Sequence, residues 1–240
     1  RLHHKLTVPF ATKIMTPACY RIDLGKKQVR SNSYMELSYL HPNYFKPDPA
    51  VLKLMGLAES EKFVIIRFVS WAAAHDFDHT GMSLEKKKKV VTELSKYARV
   101  FISSEGELPE SLERFRIKIP FNKMHDALYY CSLLFGESAT MASEAAVLGT
   151  PSVFIDNDGR GYTDEQESKF GLVNNFTESD EDQDRAIRTA LRIIRDPRQK
   201  EKLQTAREAL LSNCIDTTGF MIDEVLKYET SAVPVTTLAS

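Results

Sequence analysis

The sequence predicts an α/β protein in which helices flank a Rossmann-type sheet of parallel strands. Residues 130–156, YCSLLFGESATMASEAAVLGTPSVFID, have the pattern of strand, turn, helix and strand that makes a βαβ unit with parallel strands. From residue 50 onward, apolar strand-like runs alternate with helical patterns about five or six times. This alternation is typical of a doubly wound sheet with helices on both faces.

Length and composition indicate a folded protein with a full hydrophobic core. The chain has 240 residues, of which 42% are hydrophobic, and its 32 basic residues nearly balance 33 acidic ones. This balance gives no overall bias toward nucleic acid, so nucleic-acid binding is not expected. Three cysteines without CxxC spacing fit a reduced compartment, and we expect a cytoplasmic protein. No apolar run approaches the roughly 20 residues of a membrane span, so no transmembrane segment is expected.

The first 49 residues predict the tail of one domain and a connector to the next. Residue 1 is an arginine, and the opening stretch contains only one or two short strand-like runs, interrupted by Pro9 and Pro17. Either the chain is a fragment or residues that precede it are missing from the sequence. Residues 34–49, YMELSYLHPNYFKPDP, combine aromatic residues with three prolines, which neither donate in a sheet nor continue a helix. We expect a domain boundary here, with this connector packed against the domain that follows.

The second domain is predicted over residues 50–230. Strands are expected at KFVIIRFV, RVFIS and RIKI, and a helix capped by Ser83 over residues 84–97. Further helices are expected over residues 181–195, 197–212 and 217–228, and residues 157–168 read as a polar loop. Residues 231–240 have the small polar composition of a flexible tail.

The turn inside the βαβ unit is the first candidate binding site. It comprises Gly136, Glu137, Ser138, Ala139 and Thr140, and either Ser138 or Thr140 is placed to cap the helix that follows. Ligands of a parallel sheet bind beyond the carboxyl ends of its strands. The free N–H groups at this helix start therefore suit a phosphate or another anion.

Glu144, about one helical turn beyond that bend, is the second candidate. Its carboxylate is placed to accept hydrogen bonds from the hydroxyl groups of a ligand. The small residues of the bend and the carboxylate of Glu144 together resemble a pocket for a nucleoside diphosphate. The alternative interpretation is an ordinary capped helix in which Glu144 stabilises the favourable end of the helix dipole.

Residues 70–81 follow the first strand of the second domain and face the same edge of the sheet. His75, Asp76, Asp78 and His79 give this loop two imidazoles and two carboxylates. His75 and Asp76 are catalytic candidates, because a general base or a histidine in contact with phosphate fits there. A metal site is disfavoured, because no helical period places the two histidines on one face. In the remaining interpretation the aspartates bond local backbone in a plain turn.

Arg67 interrupts an otherwise apolar strand. An unpaired charge in the interior is costly, so a buried arginine needs a partner. Its guanidinium suits a carboxylate or a phosphate equally, and a structural pair is the favoured interpretation.

Two loops contribute the remaining candidate contacts. Residues 119–125 are placed where a loop can wrap a flat base, with Phe121 as an apolar wall and Asn122 and Met124 beside it, and the plain interpretation of His125 is a helix-start residue. Gln166 ends a polar loop that either closes over a sugar or forms a plain surface loop. The chain has no GxSxG, GxxxxGK[ST] or GxGxxG motif, so a hydrolase elbow, a P-loop and a dinucleotide fingerprint are not predicted.

Several stretches together resemble a known family. FGESATMASEAAVLGTPSVFID is similar to the nucleotide-sugar segment in the second domain of GT-B-fold enzymes. These enzymes include the glycosyltransferase that makes lipid II and the non-hydrolysing UDP-N-acetylglucosamine 2-epimerases. The closer likeness, to the uncharacterised prokaryotic family called domain of unknown function 354, covers nearly the whole chain. It rests on TPACYRIDLG, ELSYLHPNYFKPD, IIRFVSWAAAHD, VFISSE, MHDALYY, GESATMASEAAVLGTP and RGYTDEQESKFGLVNNF, a specific combination of individually weak pieces.

The resemblance implies two similar α/β domains that face each other across a cleft, the second of which binds the nucleotide. Ser138, Ala139 and Thr140 would contact the diphosphate, Glu144 the ribose, and the backbone of residues 121–124 the uracil. The chain would supply the second domain and only the end of the first. The acceptor site and the catalytic base are therefore expected mostly in the missing part.

The resemblance predicts a glycosyltransferase that takes a UDP-sugar as substrate, needs no separate cofactor, and acts in surface polysaccharide or glycolipid synthesis. Its acceptor would be an unknown glycan or lipid-linked molecule, which is compatible with peripheral association with a membrane. A 2-epimerase is the alternative enzyme, although residues 67–70 here replace the His-Arg-x-Glu-Asn motif of the epimerases. From another class, a nucleotide-sugar-binding module without turnover would have the same pocket.

Overall fold

The computed structural model describes the backbone of residues 2–69 and 81–231. Within these ranges seven strands occur: β1 (Ile14–Pro17), β2 (Gln28–Ser31), β3 (Phe63–Phe68), β4 (Arg99–Ser104), β5 (Leu133–Gly136), β6 (Ser152–Ile155) and β7 (Val173–Phe176). The same ranges contain eleven α-helices: α1 (Leu2–Thr7), α2 (Leu37–Leu40), α3 (Ala50–Leu54), α4 (Leu84–Leu94), α5 (Glu110–Glu113), α6 (Met124–Tyr130), α7 (Ala139–Leu148), α8 (Gly161–Ser168), α9 (Asp180–Arg195), α10 (Gln199–Asn213) and α11 (Thr217–Ser231).

The five strands β3 to β7 form one sheet in the order β4-β3-β5-β6-β7, and every neighbouring pair is parallel. The predicted parallel α/β fold is confirmed. A separate two-stranded sheet pairs β1 with β2, also in parallel. Because all strands of the large sheet run the same way, their carboxyl ends meet at one edge, which is where a ligand site is expected.

The large sheet is buried on both faces, as parallel sheets are. Alternate residues of β3 show this directly, since Phe63 and Ile65 belong to one apolar cluster and Val64 and Ile66 to the other. The first cluster includes residues of α7 and of the connector. The second is covered by α4 and α9.

The central βαβ unit is formed by β5, α7 and β6. Ser138 is the cap of α7, and its Oγ accepts a hydrogen bond from the Met141 backbone N–H at 3.3 Å. Gly149 ends the helix in the left-handed conformation, with φ 84°, which glycine adopts without a Cβ penalty. The strand is shorter than predicted, because Tyr130 still belongs to α6.

Two local predictions were wrong. Residues 116–119 do not form a strand, since they make one isolated bridge, between Ile102 and Arg116, before Pro120 introduces a 3-10 turn at Phe121–Lys123. Residues 157–168 were expected to be a polar loop, but Gly161–Ser168 form α8. Tertiary packing accounts for this helix, because Thr163 and Gln166 are buried completely on the side that faces the protein interior.

The connector, residues 34–49, packs on one face of the large sheet and its helices. Tyr34, Leu37 and Leu40 are almost fully buried in the first apolar cluster. The carboxyl-terminal helices return to this region, where the Ile215 backbone N–H donates to the Asn32 carbonyl at 3.0 Å. Across the part of the chain that the structure describes, no helix combines the length and apolar character needed to cross a bilayer.

Candidate functional site

The candidate site lies at the carboxyl edge of the sheet, where β3 and β5 end side by side. Arg67 and Gly136 are paired in the register of these two strands. A Cβ atom at position 136 would lie only 2.8 Å from the Arg67 backbone nitrogen and closer still to its carbonyl oxygen. Glycine is therefore required for the two backbones to approach as they do.

The bend after β5 presents the amino-terminal end of α7 at this edge. Ser138 and Ala139 are half-buried and Thr140 is exposed. Burial raises the pKa of Tyr162 in α8 to about 12, and a hydrogen bond with Thr140 opposes that rise. The bend thus combines backbone N–H groups of a helix start with hydroxyl groups, an arrangement suited to an anion.

Glu137 points into the protein. Its carboxylate accepts hydrogen bonds from the backbone N–H groups of Val69, at 2.9 Å, and Met82, at 2.5 Å. The Lys87 ammonium lies 3.8 Å from Oε2. Burial raises the pKa of Glu137, and the charge of Lys87 and the two N–H groups oppose this rise. Glu137 therefore links the ends of the two segments that border residues 70–80.

Glu144 lies in α7 and is contacted by two side chains from other elements. The Tyr39 hydroxyl donates to Oε1 at 3.0 Å, and His125 Nε2 lies 3.0 Å from the same oxygen. Burial, followed by the negative charge of Glu144, raises the pKa of Tyr39. Local sequence patterns do not reveal these two contacts, because Tyr39 and His125 lie 105 and 19 positions from Glu144 in the sequence.

Glu36 adds a second buried carboxylate close to Glu144. Burial raises the pKa of Glu36, a hydrogen bond with Ser143 opposes the rise, and the charge of Glu144 adds to it. Sequence patterns did not single out Glu36, because its partners lie more than a hundred residues further along the chain.

Arg67 is held by the end of β4. One of its nitrogens donates to Ser103 Oγ at 2.8 Å, and another forms an ion pair with Glu105. The Nε atom is buried and has no hydrogen-bond partner among the residues that the structure describes. The guanidinium thus has the structural pair that the sequence analysis favoured.

Phe121 projects from the 3-10 turn and is 97% exposed. Asn122 is also exposed, and Met124 is half-buried at the start of α6. The turn is anchored by Lys123, whose ammonium lies 2.7 Å from Asp48 Oδ2 in the connector. A fully exposed ring on an anchored turn is available to a flat ligand.

Gln166 is enclosed by the protein. Its Nε2 donates to Ser143 Oγ at 2.8 Å, and its Oε1 is buried with no partner in the described part of the chain. Gln166 therefore connects α8 to α7 inside the protein. His75 and Asp76 lie outside the described residues.

No group of three or more histidine, cysteine, aspartate or glutamate side chains among the described residues is arranged to hold a metal ion. The polar groups that do converge at the edge are helix N–H groups, hydroxyls and the carboxylate of Glu144. These groups match hydroxylated, anionic ligands.

A five-stranded parallel sheet with helices on both faces defines a Rossmann-like α/β class of domain. Within that class, the chain belongs to the family described as "Protein of unknown function (DUF354)", whose profile matches residues 2–229. No curated protein matches the sequence.

Solved structures with a similar fold include glycosyltransferases. The spinosyn forosaminyltransferase SpnP matches with a TM-score of 0.54 and 12% identity, over 92% of this chain and 56% of that one. The wall teichoic acid polymerase TagF (H548A) matches with a TM-score of 0.53 and 14% identity, over 96% of this chain and 61% of that one. The glycosyltransferase VinC in complex with DTDP has a TM-score of 0.50 and 16% identity, over 75% and 44% of the two chains.

These matches identify the fold as part of a GT-B fold, as the resemblance implied. This chain spans about half to three-fifths of the length of SpnP and TagF.

Proposed function

We propose that this chain is the nucleotide-sugar-binding part of a GT-B glycosyltransferase that uses a UDP-sugar. The observation that carries the proposal is the junction of β5 and α7, where a partly exposed helix start lies about one turn before the carboxylate of Glu144. A nucleoside diphosphate has the two features that this junction matches, a diphosphate and a ribose with hydroxyl groups.

In the proposed complex, Ser138, Ala139 and Thr140 bind the diphosphate. Backbone N–H groups and the positive end of the α7 dipole stabilise the negative charge that grows on the leaving diphosphate as the glycosidic bond breaks. The charge is thereby stabilised by groups that are already oriented, which is the contribution that raises the rate.

Glu144 accepts hydrogen bonds from the ribose, and the backbone of residues 121–124 contacts the uracil. The exposed ring of Phe121 provides a surface on which a base stacks. Asn122 and Met124 flank it.

The site is held in place by three side chains whose polar groups form hydrogen bonds within the protein, those of Arg67, Glu137 and Gln166. Gly136 allows β5 to lie close to β3, and this close approach positions the bend that follows β5. His75 and Asp76 are assigned to the chemical step, alongside groups of the partner domain.

The acceptor we propose is a glycan or lipid-linked molecule, and the pathway is surface polysaccharide or glycolipid synthesis. Support comes from fold neighbours described as a forosaminyltransferase and as a wall teichoic acid polymerase.

Isothermal titration calorimetry of the full chain with UDP, UDP-N-acetylglucosamine and GDP tests this proposal. We expect UDP and UDP-N-acetylglucosamine to bind and GDP to bind more weakly. A folded chain that binds none of the three refutes the nucleotide-sugar function. Conversion of UDP-N-acetylglucosamine to its manno isomer without an acceptor would establish the epimerase instead, and binding without either reaction in the full-length enzyme would establish a binding module.

A further inference from the structure

Tyr39 and His125 both bond to the same oxygen of Glu144. The Tyr39 hydroxyl and His125 Nε2 each lie 3.0 Å from Oε1. Tyr39 belongs to α2 in the connector, 105 residues from Glu144 in the sequence. Because an ionised carboxylate only accepts hydrogen bonds, His125 carries a hydrogen on Nε2 when Glu144 is ionised.

This arrangement occupies one carboxylate oxygen and leaves the other for a ligand. A carboxylate oxygen has two lone pairs, and two donors already reach Oε1. Within residues 2–69 and 81–231, no donor bonds to Oε2. The Glu144 side chain is 10% exposed, so a ligand approaches a carboxylate that is already oriented.

The two donors are held in place by aromatic contacts. The ring centroids of Tyr39 and His125 lie 5.5 Å apart, and the ring of Phe45 meets His125 edge-on at 6.3 Å. Phe45 also belongs to the connector. Two of these three rings therefore come from the connector, and one of the two, Tyr39, bonds to Glu144 directly.

We propose that Tyr39 and His125 are positioning residues that hold Glu144 with Oε2 directed toward the ribose hydroxyls of the bound nucleotide. The connector thereby takes part in nucleotide recognition. This inference rests on the proposed function. If Tyr39 and His125 act on the ribose through Glu144, their substitution changes affinity only for ligands that carry the ribose hydroxyl groups. A purely structural role would not depend on those hydroxyl groups.

The test compares the affinities of the full chain for UDP and for 2′,3′-dideoxyuridine diphosphate, measured by calorimetry. The unchanged protein is expected to prefer UDP by about tenfold, the effect of a hydrogen bond to a charged group. Tyr39→Phe removes only the hydroxyl and should lower the affinity for UDP by about threefold while leaving that for the dideoxy compound unchanged. His125→Leu should act in the same way, and His125→Gln, which retains an N–H donor, should restore part of the preference.

Tyr44→Phe is the matched control, because Tyr44 lies in the same connector and its hydroxyl bonds to Asp216 at 2.6 Å instead. It should leave the preference for UDP unchanged. If the unchanged chain binds UDP and Tyr39→Phe weakens both ligands equally, or neither, the inference is overturned and the proposed function stands. If the unchanged chain binds no UDP, the proposed function itself fails and the inference fails with it.

Discussion

The carboxylate of Glu137 accepts a hydrogen bond from the backbone N–H of Met82 at 2.5 Å, and its other oxygen accepts one from Val69. These two N–H groups border residues 70–80, which include the catalytic candidates His75 and Asp76. One buried side chain at the start of the α7 bend thus links the residues on either side of that segment. Nearby, the carboxylate of Glu178 accepts a hydrogen bond from the backbone N–H of Gly81 at 2.8 Å.

Glu137→Ala should destabilise the protein by about 1–3 kcal/mol, because it leaves two N–H groups without their acceptor. Urea denaturation followed by circular dichroism measures the change. Glu107→Ala is the control, since Glu107 is an exposed glutamate, and it should change stability by less than about 0.5 kcal/mol. Equal effects of the two substitutions would contradict the role given to Glu137.

The stability of the protein should depend on pH through Glu137. Burial raises the pKa of this group above its ordinary value of 4.5 in the folded protein. The folded state then binds the proton on Glu137 more tightly than the unfolded state does. Proton binding therefore stabilises the folded protein fully below pH 4.5, and this stabilisation is lost as the pH rises through the raised pKa.

Glu137→Gln cannot ionise and does not undergo this loss. The difference in stability between this variant and the unchanged protein should therefore shift in favour of the variant as the pH rises from about 4.5 to about 8. Urea midpoints at several pH values provide the measurement. A difference that stays constant over this range, or shifts the other way, would show that burial does not raise the pKa.

Gly136→Ala should cost about 3 kcal/mol or more, because its Cβ would press on the backbone of Arg67 in the neighbouring strand. The control is Gly171→Ala, where φ is 65° but, apart from the neighbouring residues in the chain, no described atom lies within 4 Å of the added Cβ. That substitution should cost only the strain of a left-handed residue, about 1–2 kcal/mol. Thermal unfolding of both variants distinguishes clash from strain, and a smaller effect at position 136 than at 171 would be inconsistent with the clash.

Glu144→Ala should weaken the binding of UDP by about 1–3 kcal/mol, the usual cost of losing a hydrogen bond to a charged group. Calorimetry with UDP measures this. Asp164→Ala serves as the control, because Asp164 pairs with Arg21 on the surface rather than facing the α7 bend. Unchanged affinity in the Glu144 variant would refute the assignment of the ribose to this residue.

Phe121→Ala should lower the affinity for UDP by about 1–3 kcal/mol, the range found for stacking of a base on an aromatic ring. Because the ring is 97% exposed, the substitution should leave the melting temperature unchanged. Phe10→Ala, at a phenylalanine that is 88% exposed in the amino-terminal segment, is the matched control and should change neither property. Retained affinity in the Phe121 variant would rule out base stacking at this ring.

The amino-acid sequence by itself determined the parallel α/β class and the βαβ unit of β5, α7 and β6, and it limited the cap of α7 to Ser138 or Thr140. These features depend on residues close together in the chain. The apolar period of a helix or strand, a hydroxyl at a helix start and a glycine at its end act on their immediate neighbours.

Only the tertiary structure decided which side chains meet Glu144 and what Glu137 and Gln166 contact. Tyr39 reaches Glu144 across 105 positions, and α8 forms from a polar stretch because its buried face packs inside the protein. Local patterns carry no information about such partners. The hydrogen bonds of a buried polar group are set by which distant elements the core brings together, and that arrangement is settled by the packing of the whole chain.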